Sequence, residues 1–193
     1  MKKTLLLFLI VASIPAFSQT LTSIEYSMGF GTGNMSAFVK PASFRGFTFD
    51  LRKMVQPNVG VGIELGWNVF YDELPNDVYT IGNTSYSGKQ YHYDNKFPML
   101  ASADYYFMPG DRVNPFVGFG LGTLFSMRTT DMGQYRFEDE GWHFAVKPEA
   151  GVLFEVNPSM GFSVTAKYYY GFETSELRPQ GYFALNFGLV FMN

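Results

Sequence analysis

Large apolar side chains alternate with small or polar ones along most of the chain. In residues 59–70, VGVGIELGWNVF, six alternate positions are large and apolar, and the positions between them hold mainly glycine, with Glu64 and Asn68. A period of two residues is that of a β-strand whose two faces meet different surroundings. Facing water, glycine would only weaken the strand. The pattern therefore indicates that the glycines leave space for something on their own face.

Eight segments share this alternation, and no segment shows a convincing 3.6-residue apolar period. The predicted strands lie near residues 22–31, 42–53, 59–70, 96–107, 115–127, 142–156, 161–172 and 181–192. Short turns are predicted near 54–58, 108–114 and 157–160, and longer polar loops near 32–41, 71–95, 128–141 and 173–180. An even number of strands, with short turns at one end and long loops at the other, is typical of a transmembrane barrel. The predicted fold is all-β, an eight-stranded antiparallel up-and-down transmembrane β-barrel.

The charged residues of the predicted strands fall almost entirely on the glycine-rich face. That face carries Glu25, Asp50, Arg52, Glu64, Asp104, Lys147, Glu149, Glu155 and Lys167. The apolar face carries one charge, Arg45, close to a loop where its long side chain can reach water. We therefore expect the apolar face to meet lipid and the polar face to line the lumen.

An eight-stranded barrel is just wide enough for its own side chains to fill it. We predict a lumenal polar network formed by Asp50, Arg52, Glu64, Asp104, Lys147, Glu149 and Lys167. Buried charges are tolerated when they are paired, so a self-neutralising plug is favoured over a narrow pore, which stays open as an alternative. The excess of acids indicates water, a protonated carboxyl or a cation inside.

The tight turn around Pro158 predicts one specific ion pair. A hairpin centred on this residue places Glu149 opposite Lys167, both facing inward, with Gly120 on the preceding strand leaving space for Glu149. Long side chains at opposed positions of neighbouring strands come within contact.

Hairpin centres also predict where the lumenal glycines lie. Centres near residues 111 and 134–135 would oppose Gly118 to Asp104, Gly120 to Glu149 and Gly122 to Lys147. Pro98 and Pro148 fall inside strands, where a missing N–H removes a ladder bond; bulges or a late strand start would accommodate them.

Aromatic residues, 19% of the chain, concentrate near the strand ends. Those toward the long loops are Trp67, Tyr71, Tyr91, Trp142, Phe144, Tyr170, Phe172 and Tyr182, and those toward the short turns are Phe107, Phe154, Phe162 and Phe191. Two such levels are typical of the aromatic girdles at the two membrane interfaces.

Composition narrows the function further. The chain has 193 residues, a net charge of −3, no cysteine and two histidines. A weakly acidic chain without a basic surface predicts no nucleic-acid partner, and the absence of cysteine excludes disulfides and thiol chemistry. No clustered ligand spacing indicates a metal, and we expect no cofactor.

The first twenty residues, MKKTLLLFLIVASIPAFSQT, have the pattern of a secretory signal peptide. Two lysines precede a short apolar run, and Ala16 and Ser18 supply small residues before a cleavage point at Gln19. We therefore predict a signal peptide over residues 1–18 and a barrel domain over residues 19–193.

The signal peptide, the eight alternating strands and the terminal strand together resemble the small outer-membrane β-barrel domain family, which includes the OmpA transmembrane domain, OmpX and OmpW-like proteins. The closing NFGLVFMN resembles its C-terminal assembly signal, with Asn186, Gly188 and Phe191 at the polar, glycine and hydrophobic positions. The family usually ends in Phe, whereas this chain ends in Asn193. The resemblance implies a Gram-negative outer membrane, contact with its lipid and assembly machinery, and no general enzymatic activity.

We expect a monomer with a structural, adhesive or interaction role through extracellular loops, above all residues 71–95, which would project as a hairpin. A lipid A-modifying enzyme is one alternative, with Ser126 and His143 facing inward near one loop. Its imidazole would be oriented by one of three carboxylates, Asp131, Glu138 or Glu140.

A soluble barrel that binds an apolar ligand is a further alternative. It would need the large apolar face inside. The direction in which Val61, Phe119 and Leu189 point therefore separates a soluble barrel from a membrane barrel.

Overall fold

The computed structural model describes residues 19–81, 84–174 and 177–193; the predicted signal peptide lies outside them. Its strands are β1 (Thr20–Thr32), β2 (Gly46–Gln56), β3 (Val59–Ile81), β4 (Thr84–Tyr106), β5 (Val113–Met132), β6 (Tyr135–Asn157), β7 (Met160–Gly171) and β8 (Gln180–Met192). One short helix, α1 (Asn34–Phe38), lies between β1 and β2. No helix in this part of the chain is long and apolar enough to cross a membrane.

Each strand pairs antiparallel with the next, and β1 pairs with β8 to close the barrel. The closing seam runs from Leu21 opposite Met192 to Thr32 opposite Gly181. The predicted eight-stranded antiparallel barrel is confirmed. Closure leaves no open edge in the barrel wall.

The two faces of the strands point as the alternation predicts. Phe119 and Leu189 face outward with 47% and 56% of their surface exposed, and Val61 lies on the same outward face. Glu64 and Lys147 face inward and are fully buried. A soluble barrel with its apolar face inside is therefore the wrong alternative.

Aromatic rings form a chain of contacts around the outside, near the long-loop end. Phe47 meets Trp67 at 6.0 Å between ring centroids, Trp67 stacks on Phe97 at 5.9 Å, and Phe125 lies 6.1 Å from Phe97 and 4.9 Å from Trp142. This girdle crosses five strands, as an interfacial belt does.

At the short-turn end, Phe154 stacks on Phe162 at 4.6 Å on the same outward face. One residue predicted for the long-loop girdle is placed differently. Tyr182 is fully buried inside the barrel, because it belongs to the inward parity of β8.

The strands extend into two polar segments beyond their predicted ends. Residues 71–81 continue β3 and residues 84–95 continue β4, which confirms the expected hairpin. Residues 128–141, predicted as a loop, continue β5 and β6 around a two-residue turn in which Gly133 has a φ of 60°. Because β4 also pairs with β5 as far as Tyr91 opposite Asp131, the four strands form one sheet. At about 3.3 Å per residue, β3 and β4 are roughly twice as long as β7. We call residues 71–95 and 128–141 the projecting sheet.

The first long connection enters the mouth of the barrel. β2 begins at Gly46 rather than near residue 42, and α1 precedes it. Met35 and Val39 are fully buried against lumenal side chains, so this connection closes the long-loop end. Five helical residues are too few to show a helical period.

Neither strand proline forms a bulge. Around Pro98 the β3–β4 register is unchanged from Leu65 opposite Met99 to Asn68 opposite Lys96. A Cβ on Gly66 would come within 2.8 Å of the Pro98 ring, so this glycine gives the ring its space.

Pro148 likewise interrupts the β6–β7 pairing without shifting its register. A late strand start is also wrong for Pro98, because β4 begins at Thr84.

The topology gives a first prediction. Protease added to intact cells should cut within residues 71–95, because the sheet projects beyond the girdle while the closed barrel stays protected. Fragment sizes on a gel would report the site. Cutting only after the outer membrane is permeabilised would mean that the long-loop end faces the periplasm.

Candidate functional site

The lumen brings together all seven residues predicted for the polar network, with Glu25 from β1 as an eighth member. We call these eight residues the charged network: Glu25, Asp50, Arg52, Glu64, Asp104, Lys147, Glu149 and Lys167. They come from β1, β2, β3, β4, β6 and β7, and every one of them is buried. Inward parity on six strands points their side chains toward one axis.

Lys167 lies at the centre of the network. Its Nζ is 2.6 Å from Glu25 Oε2, 2.9 Å from Asp50 Oδ2 and 3.0 Å from Glu64 Oε2. Glu149 lies opposite Lys167 in the β6–β7 register, as the turn predicts, but its Oε2 is 3.9 Å away. The predicted ion pair is therefore present, but it is the longest of the four that Lys167 makes. The long lysine side chain extends past its strand neighbour to three carboxylates across the lumen.

The other two cations complete the network. Lys147 Nζ contacts Glu64 and donates to Glu149 Oε1 at 2.6 Å. Arg52 Nη2 is 2.7 Å from Asp50 Oδ1 and 3.5 Å from Glu149 Oε1.

Arg52 also uses its Nε, which donates to Asp104 Oδ2 at 2.5 Å. Glu64 is further held by the Tyr169 hydroxyl, which donates to its Oε1 at 2.7 Å. Each cation of the charged network thus bridges at least two carboxylates.

Glycines on β5 leave the space that these side chains occupy. A Cβ on Gly118 would lie 2.1 Å from Asp104 Oδ1 and 2.8 Å from Glu149 Oε1. A Cβ on Gly120 would lie 3.1 Å from Lys147 Cε. On the inner face of the barrel wall, these glycines therefore provide space for the charged side chains.

The pairing of Gly118 with Asp104 is as predicted, but the other two predicted pairs are displaced by two residues. Gly118 lies opposite Glu149 and Gly120 opposite Lys147. The cause is that the β5–β6 turn falls at Gly133 and Gln134, one residue earlier than expected.

Five carboxylates face three cations in the network, so charge is incompletely balanced. Asp104 Oδ1 and Thr165 Oγ1 are buried without a hydrogen-bond partner. Both residues line a cavity of about 30 Å³, which is large enough for one or two water molecules. No group of three or more candidate ligands in the described ranges could hold a metal ion.

Apolar layers enclose the network at both ends. Toward the short turns lie Leu21, Met54, Tyr106, Phe116, Leu153, Val190 and Met192. Toward the long loops lie Met35, Val39, Phe70, Leu100, Leu124, Ala145, Tyr169, Tyr182 and Ala184. Because these layers exclude water, the charges interact in a medium of low dielectric constant, where pairing is strong and an unpaired charge is costly.

A second polar cluster, near the long-loop end, was not predicted. Lys96 Nζ is 2.6 Å from Asp94 Oδ1, donates to Ser126 Oγ at 2.5 Å and to Gln180 Oε1 at 3.1 Å, and Arg128 Nε lies 3.2 Å from Asp94 Oδ2. The cluster was not predicted because Asp94 lies in the segment 71–95, which was interpreted as a loop. The signal was present, because polar and aromatic residues keep alternating from Gln90 to Asp94.

The residues of the enzyme alternative do not assemble. Ser126 Oγ accepts from Lys96, and His143 Nδ1 contacts the Phe172 carbonyl oxygen at 2.9 Å. Asp131 pairs with Arg136 at 2.6 Å on the outward face. No hydrogen bond joins the serine to the histidine within the described residues, and neither Glu138 nor Glu140 bonds to the imidazole there.

The residues proposed as an assembly signal take structural places in β8. Asn186 Nδ2 donates to Glu25 Oε2 at 2.8 Å, a Cβ on Gly188 would lie 2.7 Å from Glu25 Cγ, and Phe191 faces outward near the short turns. Two of the three therefore hold Glu25 in the network. Their role in assembly stays a prediction.

The sequence matches the family described as outer membrane protein beta-barrel domain over residues 4–191. The chain belongs to this family. It is therefore an integral barrel of the Gram-negative outer membrane, as the resemblance predicts. No curated protein matches the chain.

Solved structures of similar fold are also outer-membrane barrels. Neisserial surface protein A (NspA) is 11% identical with a TM-score of 0.53, the alignment covering 90% of this chain and 96% of that one. The N-terminal barrel domain of Pseudomonas aeruginosa OprF is 15% identical with a TM-score of 0.53, covering 91% and 99%.

The attachment invasion locus protein Ail of Yersinia pestis, solved in complex with the heparin analogue sucrose octasulfate, is 14% identical with a TM-score of 0.51, covering 91% and 97%. At these identities the likeness shows the fold alone.

In this member of the family, the projecting sheet carries ordered charge pairs on its outward face. Lys89 Nζ donates to Glu73 Oε1 at 2.5 Å, which lowers the pKa of the Glu73 carboxyl and raises that of Lys89. Arg136 makes two bonds to Asp131, at 2.6 and 3.0 Å. Exposed pairs of this kind add little stability, so they mainly shape the surface.

The geometry of the charged network predicts that Lys167 is coupled to different carboxylates by different free energies. Replacing Lys167 by Met should lower the free energy of unfolding by about 3 kcal/mol, because three carboxylates lose their nearest cation. In double-mutant cycles measured in detergent, the coupling of Lys167 with Glu25 (Glu25→Gln) should exceed its coupling with Glu149 (Glu149→Gln). A larger coupling with Glu149 would contradict the observed contacts.

The space around the lumenal glycines predicts that two glycine-to-alanine variants differ in stability. Gly118→Ala should destabilise the barrel by about 1–3 kcal/mol, because the added methyl would displace two carboxylates. Gly60→Ala is the matched control, since the three nearest atoms to its Cβ would be Met54 Sδ at 3.3 Å, the Tyr106 ring at 3.4 Å and Arg52 Cβ at 3.8 Å. Equal urea midpoints for both variants would show that Gly118 is not needed for space.

Proposed function

We propose that the chain is a non-catalytic outer-membrane protein whose closed barrel holds an interaction surface, the projecting sheet, outside the cell. The observation that supports this most is the continuation of four barrel strands beyond the girdle as one ordered sheet. Long ordered segments beyond a compact domain are usually functional.

The interior supports an anchoring role for the barrel. Glu64, Lys147 and Lys167 fill the lumen at one level, and Phe70 and Leu124 fill it at the next, all essentially buried. This filling favours a plug over the narrow pore. Ser126 Oγ accepts a hydrogen bond from Lys96, which likewise favours a role without catalysis.

The free edges of the projecting sheet resist pairing with another strand. On the β3 side, Pro75 lacks an N–H and a register shift falls between Leu74 and Asp77. On the β6 side, residues 136–140 carry four charged side chains. Proline, bulges and charges are the devices that block edge-to-edge association, so side chains are better suited than backbone to make the contact.

The charge of the projecting sheet favours a cationic partner. Residues 71–95 and 128–141 contain eight carboxylates against three Lys and Arg side chains, an excess of five negative charges. Tyrosines and Val78, 63% exposed, add apolar surface. Complementary charge speeds encounter and rejects partners of like charge, so a sulfated sugar such as the sucrose octasulfate bound by Ail fits poorly.

Binding by the purified full-length barrel in lipid nanodiscs tests this proposal. Lysine- and arginine-rich peptides and heparin fragments serve as opposite probes in surface plasmon resonance. We expect the peptides to bind, heparin not to bind, and the charge-reversed variant Glu138→Lys with Glu140→Lys to lose at least tenfold in peptide affinity.

A matched control reverses two charges elsewhere. Glu155→Lys with Asp111→Lys alters the short-turn end and should leave peptide binding unchanged. Preference for heparin, or equal losses in both double variants, would reject the projecting sheet as the interaction surface.

A further inference from the structure

A groove of about 380 Å³ opens on the outer wall, between the connection that precedes β2 and the start of the projecting sheet. Its walls include Phe44, Arg45 and Tyr71, with Asp72 and Glu73 at the rim farther from the barrel. The charged network and the projecting sheet do not account for it.

The girdle fixes the level of this groove relative to the membrane. Arg45 stands two residues before Phe47, whose ring packs on Trp67 of the girdle. Two residues along a strand span about 7 Å. Because girdle aromatics lie at the boundary of the hydrocarbon, the Arg45 guanidinium lies at the level of the lipid headgroups.

Arg45 differs from the two outward-facing cations of the projecting sheet. Lys89 and Arg136 each bind a carboxylate, Glu73 and Asp131 respectively. Arg45 has no carboxylate partner among the residues that the structure describes, and its guanidinium lies over the Tyr71 ring at 5.9 Å. The ring positions the charge without neutralising it.

The remaining walls suit a sugar rather than a bare phosphate. Phe44 is 61% exposed and, with Tyr71, presents aromatic surface against which a sugar ring can lie. Asp72 Oδ2 accepts the Lys40 backbone N–H at 3.1 Å, and Lys89 holds Glu73. These fixed carboxylates can accept sugar hydroxyls, and they would repel a phosphate toward Arg45.

Below the groove, the wall continues into the lipid-facing surface. Phe47 and Leu65 face outward on neighbouring strands and are about half exposed. A ligand whose headgroup fills the groove would therefore lay its acyl chains along this wall.

We propose that this groove binds the phosphorylated sugar headgroup of lipid A, with Arg45 donating to a phosphate and Phe44 and Tyr71 packing against the sugar. Guanidinium and phosphate match as a bidentate, charge-assisted pair. The groove shares Tyr71, Asp72 and Glu73 with the projecting sheet, but lipid binding there does not depend on the proposed cationic partner.

The test titrates the purified full-length protein in detergent with lipid A, with chemically dephosphorylated lipid A and with phosphatidylglycerol, and detects bound lipid by native mass spectrometry. Wild type should bind lipid A, and should bind each of the other two at least tenfold more weakly. Arg45→Gln should weaken lipid A binding at least tenfold, and Arg45→Lys by less.

Lys53→Gln is the matched control. Lys53, in β2, is an exposed cation on the outward face of the barrel, which therefore carries a second charge besides Arg45, but it lies at the opposite membrane interface. The Lys53→Gln variant should bind lipid A as wild type does. Wild-type affinity in Arg45→Gln, an equal loss in Lys53→Gln, or equal binding of phosphatidylglycerol or dephosphorylated lipid A by wild type would overturn the proposal. If Arg45→Gln does not fold, the comparison of the three lipids on wild type decides.

Discussion

An eight-stranded barrel has room inside only for its own side chains, so every charge placed there must find its partner there. In this protein three cations and five carboxylates meet that constraint by sharing, with Lys167 reaching three carboxylates from three strands. Glycines on β5 make room for the charged groups, and apolar layers seal them at both ends. Strand parity, glycine positions and the buried first connection all follow from this requirement.

A barrel filled in this way is suited to act as a rigid support. Six strands contribute charges to one network, so movement of any one of these strands would separate a buried pair. The same hydrogen-bond ladders continue beyond the girdle into the projecting sheet. The sheet is therefore anchored to the most constrained part of the molecule, which suits a surface that must keep its shape while it binds.

The period-two pattern was sufficient to predict the strand number and the face of every network residue, and the turn around Pro158 was sufficient to predict the opposition of Glu149 to Lys167. The period-two pattern was insufficient in segments whose polarity could indicate either a loop or a strand outside the membrane. Residues 71–95 and 128–141 are polar because they leave the membrane, and a polar strand outside the membrane looks like a loop in sequence. The three nearest partners of Lys167 could not be predicted either. Hairpin turns define only which residues of neighbouring strands lie opposite each other, whereas contacts across the lumen depend on how the barrel closes.

Ion conduction tests the central claim, that the lumen is closed by its own ion pairs, most directly. Purified protein would be inserted into planar lipid bilayers, with a porin as positive control and protease fragments confirming insertion. We expect no unit conductance above the bare bilayer for the wild type, because Glu64, Lys147 and Lys167 fill the lumen. Reproducible single-channel steps from the folded wild-type barrel would contradict it and restore the narrow pore.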